Sequence, residues 1–310
     1  MIASCANQHV GIKYYVKKRF VILVGQAKSL GLPEYKRSSG DTTPSKLRDQ
    51  MNQPRGYVNT EYLQVVGQFV NHLKQRSYTL MQIQQGHKVL DVGCGPASDT
   101  LQLALLVGQT GQIFGVDVDQ AMLDEAEQRA DKAGVAAWVK HKRADVSALP
   151  FDSNYFDSCR SERVFQHLPH PEPALAEMIR VTKTGGWIVV LDTDWGSFSM
   201  DTTDVEIERR LARVRAERGV HNGYSGRQLY RLFKQQTLTD ITIEAHPLVV
   251  TDYAFARLGA LLDETEDIAL TAGIVTVEEL QHWRASLEQA DASSVFFGSV
   301  TQVMAVARKP

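Results

Sequence analysis

The chain has 310 residues, of which 43% are hydrophobic and 23% charged. That ordinary globular balance excludes a disordered polyelectrolyte, a collagen-like repeat and a disulfide-rich miniprotein. Lys and Arg number 34 and Asp and Glu 36, a net charge of −2, so no chain-wide pull toward nucleic acid is expected.

Residues 1–48 carry nine Lys or Arg against Glu34 and Asp41, a surplus of +7 that leaves −9 for the remainder. Their apolar residues follow neither a helical nor a strand period. They run through Ser38-Ser39-Gly40-Asp41-Thr42-Thr43-Pro44-Ser45, a linker-like stretch. A poorly ordered basic tail is expected over 1–50, ahead of one domain over 51–310. The apolar run Phe20-Val21-Ile22-Leu23-Val24 is shorter than a secretory core, and no run approaches the roughly 18 residues of a membrane helix. Cys5, Cys94 and Cys159 are odd in number, widely spaced and without a C-x-x-C pair. Neither a zinc site nor a disulfide framework is expected, and a reducing cytoplasm suits them best.

A leading helix is expected over 57–73, where Tyr62, Val65, Val66, Phe69, Val70 and Leu73 fall near helical spacing. Strands then read at 87–92, 112–118, 137–141, 156–161 and 187–191. Helices at 99–106, 121–133 and 173–182 alternate with them. Such alternation predicts a doubly wound, Rossmann-like α/β fold with a mostly parallel sheet and helices on both faces. Past Asp194 the rhythm loosens. Helices are expected at 206–218, 225–235, 253–270 and 277–290, and strands at 241–250 and 295–307, including a late antiparallel strand. Segments 195–235 and 251–290 are expected to form a helical, substrate-capping insertion over the strand ends.

Chemistry concentrates first in Val89-Leu90-Asp91-Val92-Gly93-Cys94-Gly95-Pro96. An apolar strand meets Gly-x-Gly and then a helix, which lets backbone approach a nucleotide closely. Asp117, 24 positions beyond Gly93, ends the next strand, where a carboxylate holds ribose hydroxyls. Asp145 follows the third strand and could meet an adenine amine. A nicotinamide site would carry a third glycine, but Ser98 stands there. Asp91, two residues before Gly93, would oppose a pyrophosphate yet favour a sulfonium cation. These residues point to S-adenosylmethionine. The competing reading of Asp91 is a structural carboxylate that caps backbone N–H groups.

The chain here resembles the class I S-adenosylmethionine-dependent methyltransferases, in the broad subgroup of ubiquinone/menaquinone and natural-product methyltransferases. The resemblance rests on Val89 to Gly95, on Gly115-Val116-Asp117-Val118-Asp119 with Met122 and Leu123, and on Ala144-Asp145-Val146 with Leu149-Pro150-Phe151. It continues through Val164-Phe165-Gln166-His167-Leu168 and Glu177-Met178-Ile179-Arg180-Val181 before Gly185-Gly186. Thr184 departs from it, where a proline usually precedes the paired glycines. The resemblance implies that Gly93, Cys94 and Gly95 line the methionine end of the cofactor and that Asp117 binds ribose. Val118 and Met122 would flank adenine beside Ala144, Asp145 and Val146, and Ser161 would lie near the sulfonium. His167 is the candidate catalytic base, at a position commonly architectural in the family. His170, Asp192, Asp194, His221 and Tyr224 are further candidates near the strand ends. The expected acceptor is a small apolar or aromatic molecule, with no nucleic acid and no membrane insertion. The alternatives are a catalytically silent S-adenosylmethionine-binding module and a nicotinamide-dependent dehydrogenase.

Overall fold

The computed structural model describes Val58 and residues 60–310; the tail expected over 1–50 lies outside the described residues. Two helices lead in, α1 (Thr60–Phe69) and α2 (Asn71–Leu80). The sheet core then alternates β1 (Lys88–Val92), α3 (Thr100–Val107), β2 (Gln112–Asp117), α4 (Gln120–Lys132), β3 (Val139–Arg143) and β4 (Phe156–Glu162). It continues with α5 (Glu172–Val181) and β5 (Thr182–Met200). The later part holds α6 (Val205–Val214), α7 (Ser225–Lys234), β6 (Thr239–Val250), α8 (Tyr253–Gly259), α9 (Leu262–Thr271), α10 (Val277–Ala292) and β7 (Gly298–Arg308).

The seven strands lie in the order β3-β2-β1-β4-β5-β7-β6. β1 pairs in parallel with β2 and β4, and β4 with β5. β7 runs antiparallel to both β5 and β6. Helices cover both faces, so central strands are apolar almost throughout, as in Val89, Leu90 and Val92 or Ile188 to Leu191. α5 buries Ala174, Leu175, Met178 and Val181, the i, i+4 stripe of a helix laid on a sheet. The Asp119 side chain caps α4 by accepting from Ala121 N, and Thr276 with Glu279 forms a capping box on α10.

Four sequence expectations need correction. The single helix over 57–73 is two helices, with Val70 at φ −93° and ψ 10° between them. The second runs on to Leu80 because its buried side includes Lys74 and Ser77, which no apolar pattern reveals. β5 does not stop at Leu191 but pairs with β7 through Met200, with a register shift between Asp194 and Ser199. The helix over 253–270 breaks at Leu261, whose φ is +50°. Finally, α7, expected within the capping segment 195–235, packs on the sheet: its Leu229, Leu232 and Phe233 join the sheet core with Val190 and Ala305.

A second apolar core lies beyond the sheet. Trp195, Phe198 and Met200 from the end of β5 pack with Ile207 and Leu211 of α6 and with Tyr253, Leu262, Trp283 and Leu287 of α8–α10. α1 reaches this unit: Tyr62 Oη donates to Gly259 O at 2.9 Å, and the Phe69 and Phe255 rings lie 4.8 Å apart.

Candidate active site

The carboxyl ends of β1, β2, β4 and β5 open into a cavity of about 440 Å³, bounded on its far side by α1 and α8. Ligands of open α/β sheets bind at this edge.

β1 leads into Gly93, whose φ is +73°; a Cβ there would lie 2.1 Å from Val164 Cγ2. Glycine alone therefore passes beneath Val164. One strand over, a Cβ at Gly115 would lie 2.7 Å from Cys94 Sγ, so the loop seats its thiol against bare β2 backbone. Asp117 then fastens the loop. Its Oδ2 accepts from Gly95 N at 2.9 Å and its Oδ1 from Asp119 N at 3.0 Å. Each oxygen keeps a lone pair for a further donor. Val118, Met122, Ala144, Asp145 and Val146 line the same end of the cavity. Asp145 Oδ1 accepts from Ser147 Oγ and N at 2.6 and 2.8 Å, which holds its carboxyl below the usual range.

Asp91 lies on the cavity wall but is not a lone acid. Arg160 Nη1 lies 3.2 Å from Asp91 Oδ1 and 3.1 Å from Asp99 Oδ1, and Arg160 Nη2 lies 2.7 Å from Glu162 Oε2. Lys74 reaches Asp99 at 2.6 Å and Glu162 at 2.8 Å. Tyr78 Oη also donates to Asp99 Oδ1. Burial raises the Asp91 carboxyl above its ordinary range although Arg160 opposes it. Two cations thus meet three carboxylates, with Arg163 adding a third positive charge 3.3 Å from Glu162. Sequence reasoning missed Lys74, Asp99, Arg160 and Glu162. The available signal was Arg160, a full charge inside a strand buried on both faces.

Ser161 is a correction. It is buried with an unpartnered Oγ, while Arg160 and Glu162 on either side line the cavity. Strand side chains alternate, so the Ser161 side chain lies on the other face of β4. Asp192 and Asp194 also lie away from the cavity, inside the lengthened β5. Asp192 accepts from Gln166 N at 3.1 Å and Thr193 N at 2.8 Å, and burial pushes its carboxyl up to about 7 against those two donors. Asp194 pairs with Arg227 at 2.8 Å. His167, in the short 3-10 turn Phe165–His167, and His221 do line the cavity. Tyr224 instead donates to Glu217 at 3.2 Å.

The opposite end of the cavity belongs to the second core. Trp195, Phe198 and Phe255 face it beside Thr193, Arg215 and Gln302. Trp195 Nε1 donates to Gln166 Oε1 at 2.7 Å, which sets the indole plane. Gln302 Nε2 donates to Thr193 Oγ1 at 2.8 Å.

Residues 83–237 match the model of a family described as a methyltransferase domain. The chain belongs to that methyltransferase family. It is 32% identical over 228 residues to an uncharacterized 37.1 kDa protein in transposon TN4556 of Streptomyces fradiae, covering 74% of this chain and 64% of that protein. It is 36% identical over 139 residues to a demethylmenaquinone methyltransferase of Geobacillus sp. (strain WCH70), covering 44% of this chain and 59% of that enzyme. The chain thus spans about three fifths of the length of these relatives. The crystal structure of the YcgJ protein from Bacillus subtilis superposes with a TM-score of 0.56 at 18% identity, covering 77% of this chain and 99% of that one. A geranyl diphosphate C-methyltransferase from Streptomyces coelicolor A3(2) gives 0.51 at 16% identity, covering 85% and 88%. Both likenesses show the Rossmann-like methyltransferase fold.

Proposed function

We propose that this protein transfers a methyl group from S-adenosylmethionine to a small, largely apolar or aromatic molecule. One observation carries the reading: the loop clamped by Asp117 and the aromatic surface of Trp195, Phe198 and Phe255 border one continuous cavity. A nucleoside site and an acceptor site thereby share a space.

The residues present suit that cofactor. Gly93, Cys94 and Gly95 bring bare backbone to the cavity, and Asp117 retains lone pairs for ribose hydroxyls. Val118 and Met122 offer apolar surface to an adenine, with Ala144, Asp145 and Val146 opposite its polar edge. When bound, S-adenosylmethionine supplies an activated methyl carbon whose leaving group is a neutral thioether. The chain's own task is then alignment and exclusion of water. α1 and α8 enclose the cavity, and Gln166 fixes the Trp195 face against which a planar acceptor can lie. Where the acceptor must lose a proton, we assign its removal to His167, on the cavity wall after β4.

The alternatives fit less well. A nicotinamide dehydrogenase would seat a pyrophosphate at the loop, where Ser98 replaces the third glycine. A silent binding module has no need of an aromatic acceptor surface continuous with the nucleoside end. We place the enzyme in the cytoplasm, a setting that suits the free, buried thiols of Cys94 and Cys159. Among the described residues no helix is long and apolar enough to cross a membrane. The test is purified protein with methyl-labelled S-adenosylmethionine against panels of quinols, phenols and amines. Label transfer to a ring-bearing acceptor supports the reading, and its absence across panels with intact cofactor binding favours the silent module.

A further inference from the structure

Arg215 is a buried guanidinium, 3% exposed, on the wall of the cavity at its aromatic end. Its Nε–H has no acceptor, and no carboxylate among the described residues forms an ion pair with it. The other cavity cations are differently placed: Lys74, Arg160 and Arg163 are each held by Asp91, Asp99 or Glu162. Burial lowers the Arg215 pKa, and Tyr62 and Glu264 oppose that shift. A buried charge with no ion pair among the described residues is costly and calls for a partner.

The surroundings hold this charge in place. The guanidinium carbon lies 4.2 Å from the centre of the Trp195 ring, and Trp195 is itself anchored by its hydrogen bond to Gln166. Arg215 opens a π-helical turn, Arg215–Gly219, that follows α6. Such turns often mark functional sites. A Cβ on Gly219 would lie 2.8 Å from Arg215 Nη1, so the glycine leaves room for the planar fork. Gln302 adds a buried Oε1 with no donor on the same wall.

We propose that Arg215 is a specificity-determining residue that receives a carboxylate on the methyl acceptor, so that the preferred acceptor is an aromatic or apolar acid. The choice of carboxylate follows from charge count and shape. One guanidinium forms a bidentate pair with one planar carboxylate. A diphosphate carries more negative charge, and besides Arg215 the described residues at this end offer it only two imidazoles, His167 and the exposed His221. Gln302 Oε1 stands ready to accept a hydrogen bond from a hydroxyl or amine on the same acceptor. This inference rests on the methyl-transfer reading of the cavity and narrows its substrate class.

The test compares 1-naphthoate with its neutral isostere 1-naphthamide by calorimetric titration of the full chain saturated with S-adenosylhomocysteine. Saturation ensures that the measured anion does not occupy the cofactor's own carboxylate position. The unaltered protein should bind naphthoate at least tenfold more tightly. Arg215→Gln should weaken naphthoate at least tenfold and naphthamide less than threefold, and Arg215→Lys should restore part of the preference. The preference of the unaltered protein stands as a result even if Arg215→Gln fails to fold. Equal affinity for the two probes, or no binding of either, overturns the proposal and leaves the methyl-transfer reading standing as long as S-adenosylhomocysteine binds. Failure of S-adenosylhomocysteine itself to bind contradicts that wider reading, and the two probes are then compared on the protein alone by the same criterion.

Discussion

Lys74 Nζ lies 2.6 Å from Asp99 Oδ2, and both side chains are buried. The pair ties α2 to the residue that begins α3, and through Arg160 it extends to β1 and β4. Removing one partner of a buried ion pair leaves the other charge without compensation. Lys74→Met is therefore expected to destabilise the protein by about 3–5 kcal/mol, read as a lowered urea midpoint with unchanged slope. Lys74→Arg should recover part of the loss. A variant as stable as the parent would show that the network does not hold α2 in place.

Asp117→Ala should weaken S-adenosylhomocysteine binding by about 1.5–3 kcal/mol, the worth of a charge-assisted hydrogen bond. It should also loosen the glycine loop, because Gly95 N and Asp119 N lose their acceptor. Asp117→Asn retains one acceptor oxygen and should fall between. Titration calorimetry checks the order; equal affinities in all three proteins would remove Asp117 from the site.

Asp192 gives a pH signature. Burial holds its folded pKa at about 7, above the unfolded carboxyl at 3.8, so between these values the folded state binds the extra proton. Stability from this group is complete below the unfolded pKa and declines as pH rises through the folded one, by at most about 1.4 kcal/mol per pH unit. Carboxyls held low in the fold, such as Asp145 and Glu177, act in the opposite sense at more acid pH. The comparison of parent with Asp192→Asn isolates the effect. Urea unfolding from pH 4 to 8 should show the variant losing less stability than the parent over that interval, and parallel curves would refute the assignment.

Trp283 is fully buried in the second core, with Leu287 and Leu262 among its neighbours in that cluster. Trp283→Ala should cost about 3–5 kcal/mol. Trp283→Phe should cost less, because the indole N–H it removes has no acceptor. Neither should change cofactor affinity in the folded protein, as Trp283 does not line the cavity. Thermal unfolding and S-adenosylhomocysteine titration together decide this; a large affinity loss in Trp283→Phe would contradict the separation of the second core's stability from cofactor binding.

The sheet and the glycine end of the site were legible because both leave local marks. Alternating strands and helices, Gly93 and Gly95 after an apolar strand, and Asp117 at the next strand end are properties of neighbouring residues. Residues that act through distant partners left weaker marks. α2 hides its buried face behind Lys74 and Ser77, since the burial is satisfied by ion pairs rather than apolar contact. The resemblance points to Ser161, but strand parity fixes which side chain meets the cavity, and Arg160 and Glu162 meet it instead. The extension of β5 to Met200 depends on pairing with β7, about 100 residues later in the chain. Arg215 reads in sequence as one more charge in a charged helix, and only packing reveals it as buried without an ion pair among the described residues.

The loop at Gly93–Gly95 with Asp117 is the proposed seat of S-adenosylmethionine. Calorimetric titration of the full chain with S-adenosylhomocysteine and, separately, with NADH tests it most directly. Saturable binding of S-adenosylhomocysteine is expected, weakened at least tenfold in Asp117→Ala, with no competing binding of NADH. Saturable NADH binding that Asp117→Ala abolishes, with no response to S-adenosylhomocysteine, would contradict it.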